Sequence, residues 1–395
     1  MWLVATGITP KSKGTQLTRA KRATLGFKGS PYHTSQDTTY HHHIYPHPHP
    51  HLPTCTMFFR NETRPASDFD PDNLPYYNPE TDRRVCFITG GNSGIGFYTV
   101  LHLYIHGFII YVGGRSKQKT ESAFREIRNQ AKIRRGKLTL HQLDQQYLGD
   151  LKFVHLDLLD LKSVNNAVVQ FKTREKYLNL LIHNAGIMAV PYSKTKDDFE
   201  IQLQTNYISP FLITDRLVNL MEHPDVKDPR IVYVSSIGHR FAVLPINLGF
   251  DFPYKPNILF TFFRYGHAKT AGIHMAKTIA KRHPTILSVS VHPGFVMNTN
   301  LFSHFTRLPF IGTLFWIFFQ LFGFFFGVSN EEGSYSTLKC GVSNELNRDE
   351  DNGKYFATFG VETTPSRIAE KEQYSLDDWG WTVSELQRRG FQITN

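Results

Sequence analysis

Six short apolar runs recur along this chain, and each stops at small or polar residues before a stretch of helical length. They are "RVCFIT" (84–89), "FIIYVGGR" (108–115), "LKFVHLDL" (151–158), "LNLLIHNAG" (178–186), "PRIVYVSS" (229–236) and "ILSVSVHPG" (286–294). Strands that are apolar throughout, rather than alternating, are buried on both faces, so helices must cover both sides of a parallel sheet. Right-handed crossovers between such strands wind the sheet in both directions from its centre. The fold expected is therefore α/β, a doubly wound parallel sheet in one domain over residues 84–362. "NGKYFAT" (352–358) predicts a last strand, and "SLDDWGWTVSELQRRG" predicts a helix within 363–395 with Ser375 as its cap.

The first run leads into "GGNSGIG", and Tyr98, Leu101 and Ile105 then fall at helical spacing up to Gly107. A glycine turn between a first strand and a first helix lets backbone N–H groups meet a pyrophosphate, where the helix dipole favours negative charge. Gly90, Gly94 and Gly96 occupy that turn, which is the Rossmann arrangement for a dinucleotide. The end of the second strand faces the adenosine ribose, where a carboxylate would accept from a free 2′-hydroxyl. No Asp or Glu lies between Leu101 and Thr120, and Arg115 closes the strand instead. A guanidinium suits a 2′-phosphate by charge and by fork geometry, which predicts NADP(H) as cofactor. Asp157, after the third strand, is placed to meet the adenine edge. Asn184, Ala185 and Gly186, after the fourth, allow the backbone close to the cofactor.

Strand C-termini in such a sheet open on one crevice. Asn206 follows the fourth strand, Ser235 and Ser236 end the fifth, and "HPG" (292–294) ends the sixth. Tyr265 and Lys269 stand four residues apart in a helical run and so share one face. An amide, a hydroxyl, a phenol and an ammonium can thus meet beside a nicotinamide.

Through "TGGNSGIG", "LDL", "HNAG", "TNYIS", "VSS", "YGHAK" and "HPG", the chain from about Tyr76 onward resembles the short-chain dehydrogenase/reductase family. Within it, the chain looks like the retinol-dehydrogenase-like branch. The longer runs "LPYYNPETDR", "TVLHLYIHGF", "NAGIMAVP", "QLQTNYIS" and "VSNEEGSYSTLKC" resemble fungal lipid-droplet oxidoreductases of the late-endosome/vacuole-interface type. The resemblance implies an oxidoreductase with Tyr265 as general acid/base, Lys269 on the nicotinamide ribose, Ser236 on the substrate oxygen and Asn206 holding a water that links Lys269 to solvent. It also implies cofactor contacts from Asn92, Ser93, Ile95, Pro293, Gly294, Val296 and Thr299. A phenol ordinarily titrates near 10, and Lys269 with an oxidised nicotinamide is expected to lower it by up to about three units. The chain departs from the family pattern in three places. His183 stands at the first position of the usual Asn-Asn-Ala-Gly, an aromatic insertion lengthens the Ser236–Tyr265 interval, and Asn298 precedes Thr299 where threonine is usual.

Residues 1–56 differ in character from the rest, with six Lys/Arg against Asp37 alone and a His/Pro tract, "HHHIYPHPHPHLP". They supply about half of the net charge of +10. A disordered tail, an extension lacking from a protein that starts at Met57, a mitochondrial presequence and a metal-binding tract are all open readings. Residues 57–83 form a lead-in. Cys55, Cys86 and Cys340 show neither disulfide nor metal spacing, so no metal is expected, and no concentrated basic stripe points to nucleic acid. "LPFIGTLFWIFFQLFGFFFGV" (308–328) is 21 residues without a charge. It is long enough to span a bilayer, but a single crossing would separate strands that should pair. A membrane-embedded hairpin or a substrate lid remains. Membrane or lipid-droplet association, at the droplet or the cytosolic face of the endoplasmic reticulum, is expected. A small lipophilic substrate (retinoid, sterol or long-chain aldehyde) follows from such walls, and a homodimer is compatible. The alternative to turnover is a lipid-droplet protein that binds NADPH as sensor or tether.

Overall fold

The computed structural model describes residues 68–242, 247–296 and 327–394. The tail at 1–56, the first part of the lead-in, residues 308–326 of the Phe-rich stretch and Thr299 lie outside the described residues.

The six apolar runs become strands β1 (Val85–Thr89), β2 (Ile109–Gly114), β3 (Asp150–His155), β4 (Leu180–His183), β5 (Arg230–Val234) and β6 (Leu287–Val291). Successive residues of each strand enter opposite layers. Val85 and Phe87 of β1 pack in one core, and Cys86 and Ile88 in the other. Ile231 and Tyr233 of β5 divide from Val232 and Val234 in the same way. Two-sided burial of this kind is why the strands read as unbroken apolar runs. Helices α1 (Gly94–Ile105), α2 (Lys117–Arg135) and α6 (Asn330–Val342) cover one face, while α3 (Leu161–Lys172), α4 (Ser209–Met221), α5 (Asn257–Arg282) and α7 (Glu372–Arg388) cover the other.

Strand order across the sheet is β3-β2-β1-β4-β5-β6, extended by β9 (Tyr355–Ala357) and β10 (Val361–Glu362). All neighbours are parallel except β9 and β10. The order reverses between β1 and β4, which places a crevice at their C-terminal ends. The expected last strand is β9, paired beside β6. A second, two-stranded ladder joins β7 (Phe295–Val296) to β8 (Gly327–Val328), so the described residues that flank 297–326 stand side by side. Among the described residues no helix is long and apolar enough to cross a membrane.

Ser375 is not the cap of the C-terminal helix. Helix α7 begins at Glu372, and Ser375 is buried inside its first turn with its hydroxyl donating to the Lys371 carbonyl. Its side chain bonds back to the preceding turn, which satisfies a hydroxyl within a helix as well as a cap would.

Candidate active site

The turn from β1 to α1 is built for close approach. Gly90 and Gly94 adopt φ of +68° and +56°, a left-handed conformation that other residues rarely take. A Cβ on Gly96 would stand 2.3 Å from the Gly90 carbonyl oxygen and 2.5 Å from Asn184 Nδ2. Asn184 is what draws the turn in, since its amide donates to the Thr89 and Gly90 carbonyls, 3.0 Å each. Thr89 Oγ1 in return accepts from the backbone N–H groups of Asn184 and Ala185 at 3.2 and 3.0 Å. Strands β1 and β4 are thereby bolted together at the switch point, with α1 opening behind Ser93, whose side chain makes no capping bond. Asn92, Ser93 and Ile95 complete the turn. Thr89 was not singled out from the sequence, although its place at the end of a buried strand marked it.

Arg115 follows directly on β2 and is exposed, with no hydrogen bond or ion pair to a described residue. Beside it Ser116 caps α2 by accepting from Lys119 N–H, so the helix opens with Lys117 and Lys119 and no acid. Asp157 lies two residues past β3. Its carboxylate accepts from Leu159 N–H at 3.0 Å, and its own N–H donates to Ser163.

Asn206 stands in a single π-helical turn, Gln204–Ile208, between the helical turn Ile201–Leu203 and α4. Wide turns of this kind inside helices mark places where the backbone is reshaped for a site. Its carboxamide clasps the chain after β4, accepting from Ile187 N–H and donating to the Ile187 carbonyl, 2.9 Å each. The backbone carbonyl that the turn exposes accepts from Tyr233 Oη at 2.7 Å. Asn206 therefore positions the chain at Gly186 rather than presenting its side chain to solvent.

The serine pair divides its work. Ser235 is buried, with its hydroxyl donating to the Lys269 carbonyl. Ser236 lies at the surface of the crevice, where Oγ accepts from Gly238 N–H at 3.1 Å. The Tyr265 ring lies beside it, since a Cβ on Gly238 would meet Tyr265 Cε1 at 2.5 Å and Ser236 Oγ at 3.3 Å. Lys269 is buried and donates from Nζ to the Val234 carbonyl at 2.7 Å. Its Nζ stands 5.9 Å from the Tyr265 ring and 5.3 Å from the Tyr233 ring. A Cβ placed on Gly186 would touch both Asn206 Oδ1 (3.2 Å) and Lys269 Nζ (3.3 Å), so the three converge on one spot. Pro293, Gly294 (φ +85°) and Val296 close the crevice from the β6 side. The departure at His183 is structural: its ring is buried, bonds Thr214 Oγ1 at 2.8 Å, and burial holds it neutral, with its pKa lowered to about 3.

The short chain dehydrogenase profile matches residues 84–244. The short-chain dehydrogenase/reductase drtF of Aspergillus calidoustus is 32% identical over 335 residues, covering 80% of this chain and 98% of that protein. The chain belongs to the short-chain dehydrogenase/reductase family. Among other relatives, retinol dehydrogenase 12 of Mus musculus is 33% identical over 282 residues, 71% of this chain and 79% of that enzyme. The same fold is seen in a crystal structure of an uncharacterized protein from Mycobacterium paratuberculosis, with TM-score 0.59 and 23% identity, covering 83% of this chain and all of that one.

As a short-chain dehydrogenase/reductase the protein is an oxidoreductase that takes a nicotinamide dinucleotide, and its glycine turn fits one. Gly90, with its left-handed φ, and Gly96, whose Cβ would collide with the Gly90 carbonyl, let the turn fold tightly against the start of α1, where N–H groups suit a pyrophosphate. Burial dominates the electrostatics around Tyr265 in the chain alone. It pushes the phenol up to about 12, and the neighbouring Ser236 hydroxyl offsets only part of this. Burial also pushes the Lys269 ammonium down, to about 7. A lysine poised there exchanges protons readily at neutral pH.

Proposed function

We propose that this enzyme transfers a hydride between NADP(H) and a lipophilic alcohol or carbonyl compound, with Tyr265 as general acid/base. The observation that carries the reading is the meeting of Ser236 and Tyr265 at Gly238, beside buried Lys269 at the C-terminal end of β5. Ser236 Oγ already accepts from Gly238 N–H, so its own proton is free for an oxygen in front of it. A substrate carbonyl oxygen held there receives a proton from Tyr265 Oη during reduction and returns it during oxidation. Lys269 restores the phenol from a pKa of about 7, where giving and taking a proton are nearly balanced. When bound, the nicotinamide supplies or accepts the hydride, and its positive oxidised ring supplies the charge that the protein alone does not.

Arg115, with no partner among the described residues and with Lys117 and Lys119 near it at the end of β2, supports NADP(H) over NAD(H). The apolar character of the substrate is supported by the segment leading into α5. Phe250, Phe252, Tyr254, Phe260 and Phe263 pack ring against ring, with centroids 4.6 to 6.3 Å apart, and Phe252 reaches His267, two residues from Tyr265. Phe241, Phe250, Tyr254 and Leu259 of this region are also exposed, which suits a surface facing lipid. With the Phe-rich stretch 308–328 and the resemblance to fungal lipid-droplet oxidoreductases, we place the enzyme at a lipid droplet or the cytosolic face of the endoplasmic reticulum. The retinol dehydrogenases among the relatives make retinoids a natural first substrate to try, beside long-chain aldehydes and ketosteroids.

The test uses the full chain in mild detergent beside Tyr265→Phe, following NADPH and NADH oxidation with those carbonyl compounds. Turnover with NADPH that falls by about 10²- to 10⁴-fold in the variant supports the reading. Equal rates in the two proteins would refute Tyr265 as the acid/base. NADPH binding without turnover in either would favour a cofactor-sensing role.

A further inference from the structure

The far end of α1 gathers polar side chains that the dinucleotide crevice does not use. His102 and His106 stand one turn apart there, and both are 1% exposed. Asp72 joins them from the short turn Pro71–Asn73, where its side chain is exposed. One donor atom from each of the three residues lies within 4.8 Å of the other two. His102 Nε2 bonds the Glu331 carboxylate at 2.8 Å, and the same oxygen accepts from Arg134 at 2.8 Å. That bond leaves Nδ1 of His102 buried and without a partner among the described residues. Neither ring nitrogen of His106 makes a hydrogen bond of good geometry, although the carbonyls of Pro71, Leu74 and Pro75 face the ring and Tyr76 stacks on it, centroids 4.0 Å apart.

Buried imidazole nitrogens are normally satisfied, and here the unsatisfied ones belong to two rings that meet at one carboxylate. We propose that Asp72, His102 and His106 bind a divalent transition-metal ion of the zinc class. Two imidazoles and one carboxylate are the donors zinc takes, whereas magnesium and calcium require oxygen shells. Glu331 fills the position that a carboxylate takes behind a metal-bound histidine, fixing the ring so that its other nitrogen faces the ion. Donors around a tetrahedral zinc sit roughly 3.4 Å apart, given bonds of about 2.1 Å. Rotation of the exposed Asp72 side chain can close the remaining gap. The site stands about 12 to 18 Å along the helix from Gly94, at about 1.5 Å per residue. Its ion therefore pins the lead-in segment to the back of α1 and takes no part in hydride transfer.

The seven histidines of residues 1–56 would also hold metal, so every chain tested carries them replaced by asparagine. The full chain so prepared is titrated with Zn²⁺ and Co²⁺, reading stoichiometry, cobalt visible absorption and the unfolding temperature. One tight equivalent, a cobalt band and a rise in unfolding temperature are expected, with no rise from millimolar Mg²⁺. Asp72→Asn is exposed and leaves the core intact, and it should weaken Zn²⁺ at least 10-fold. His106→Gln should abolish the cobalt band. Glu331→Gln, which touches the ion only through His102, should weaken it about 10- to 100-fold. No equivalent bound in the parent chain, or equal binding in Asp72→Asn, overturns the site.

Discussion

Replacing Arg115 with alanine separates the two nicotinamide dinucleotides. The guanidinium is exposed at the end of β2 and has no protein partner among the described residues, so its removal leaves no group unsatisfied. A unit charge about 4 Å from another is worth roughly 1 kcal/mol at the dielectric of water and about 4 kcal/mol at an effective value of 20. Exposure puts Arg115 toward the lower figure, while a charge-assisted hydrogen bond to phosphate adds to it, so about 2 kcal/mol is lost. That corresponds to about a 30-fold fall in kcat/KM for NADPH. Lys117, Lys119 and the capped start of α2 remain, so some preference for the phosphate persists. The value for NADH should change by less than about 3-fold, and the unfolding temperature hardly at all, as for other exposed sites. Steady-state kinetics with both cofactors at low and high salt make the assay. The NADPH penalty should shrink as salt shortens the Debye length from about 10 Å at 0.1 M to 3 Å at 1 M. Equal losses with NADPH and NADH, or no loss with NADPH, would refute the assignment of Arg115 to the 2′-phosphate.

Gly272→Ala would put a methyl 1.9 Å from Tyr233 Cζ, against a ring held between β5 and α5. Overpacking of this kind costs about 1–3 kcal/mol, so the unfolding temperature should drop by several degrees, and Tyr233→Val should restore part of it in the double variant. An unchanged unfolding temperature in Gly272→Ala would contradict the packing. Lys269 titrates at about 7 in the folded chain against an ordinary 10.5, so between these values the unfolded chain holds the extra proton and stability rises with pH. Lys269→Met should therefore flatten the stability profile from pH 7 to 10, gain most stability below pH 7, and lose turnover. A parallel profile in denaturant titrations across that range would show that burial does not perturb this lysine.

The parts of the fold that were legible are those encoded by runs of consecutive residues. Phe87 and Ile88, or Val232 and Tyr233, each serve a different face of the sheet, so a doubly covered strand announces itself locally. The glycine turn is equally local, because a left-handed backbone at Gly90 and a close approach at Gly96 both require the missing side chain. Ser375 misled because a serine before an apolar segment has the same local chemistry whether it caps a helix or bonds back inside one. Charge balance at Tyr265 depends on more than spacing. The spacing of Tyr265 and Lys269 put an ammonium near a phenol, but burial acts on both groups at once and drives each toward its neutral form.

By itself the sequence determined the strand order of chemistry along the chain: glycine turn, Arg115, Asn184, Asn206, Ser236, then Tyr265 and Lys269. Local propensity and apolar patterning were enough for that, since each depends on neighbours within a turn or a strand. Only the tertiary structure decided that Ser235 turns inward to the Lys269 carbonyl, that Asn184 ties the glycine turn to Thr89, and that the Tyr233 hydroxyl donates to the carbonyl of Asn206. It alone brought Asp72 and Glu331 to the two histidines of α1. Contacts between residues 27 to 229 positions apart follow from how β1, β4 and the helices stack, and no short stretch of sequence carries that information.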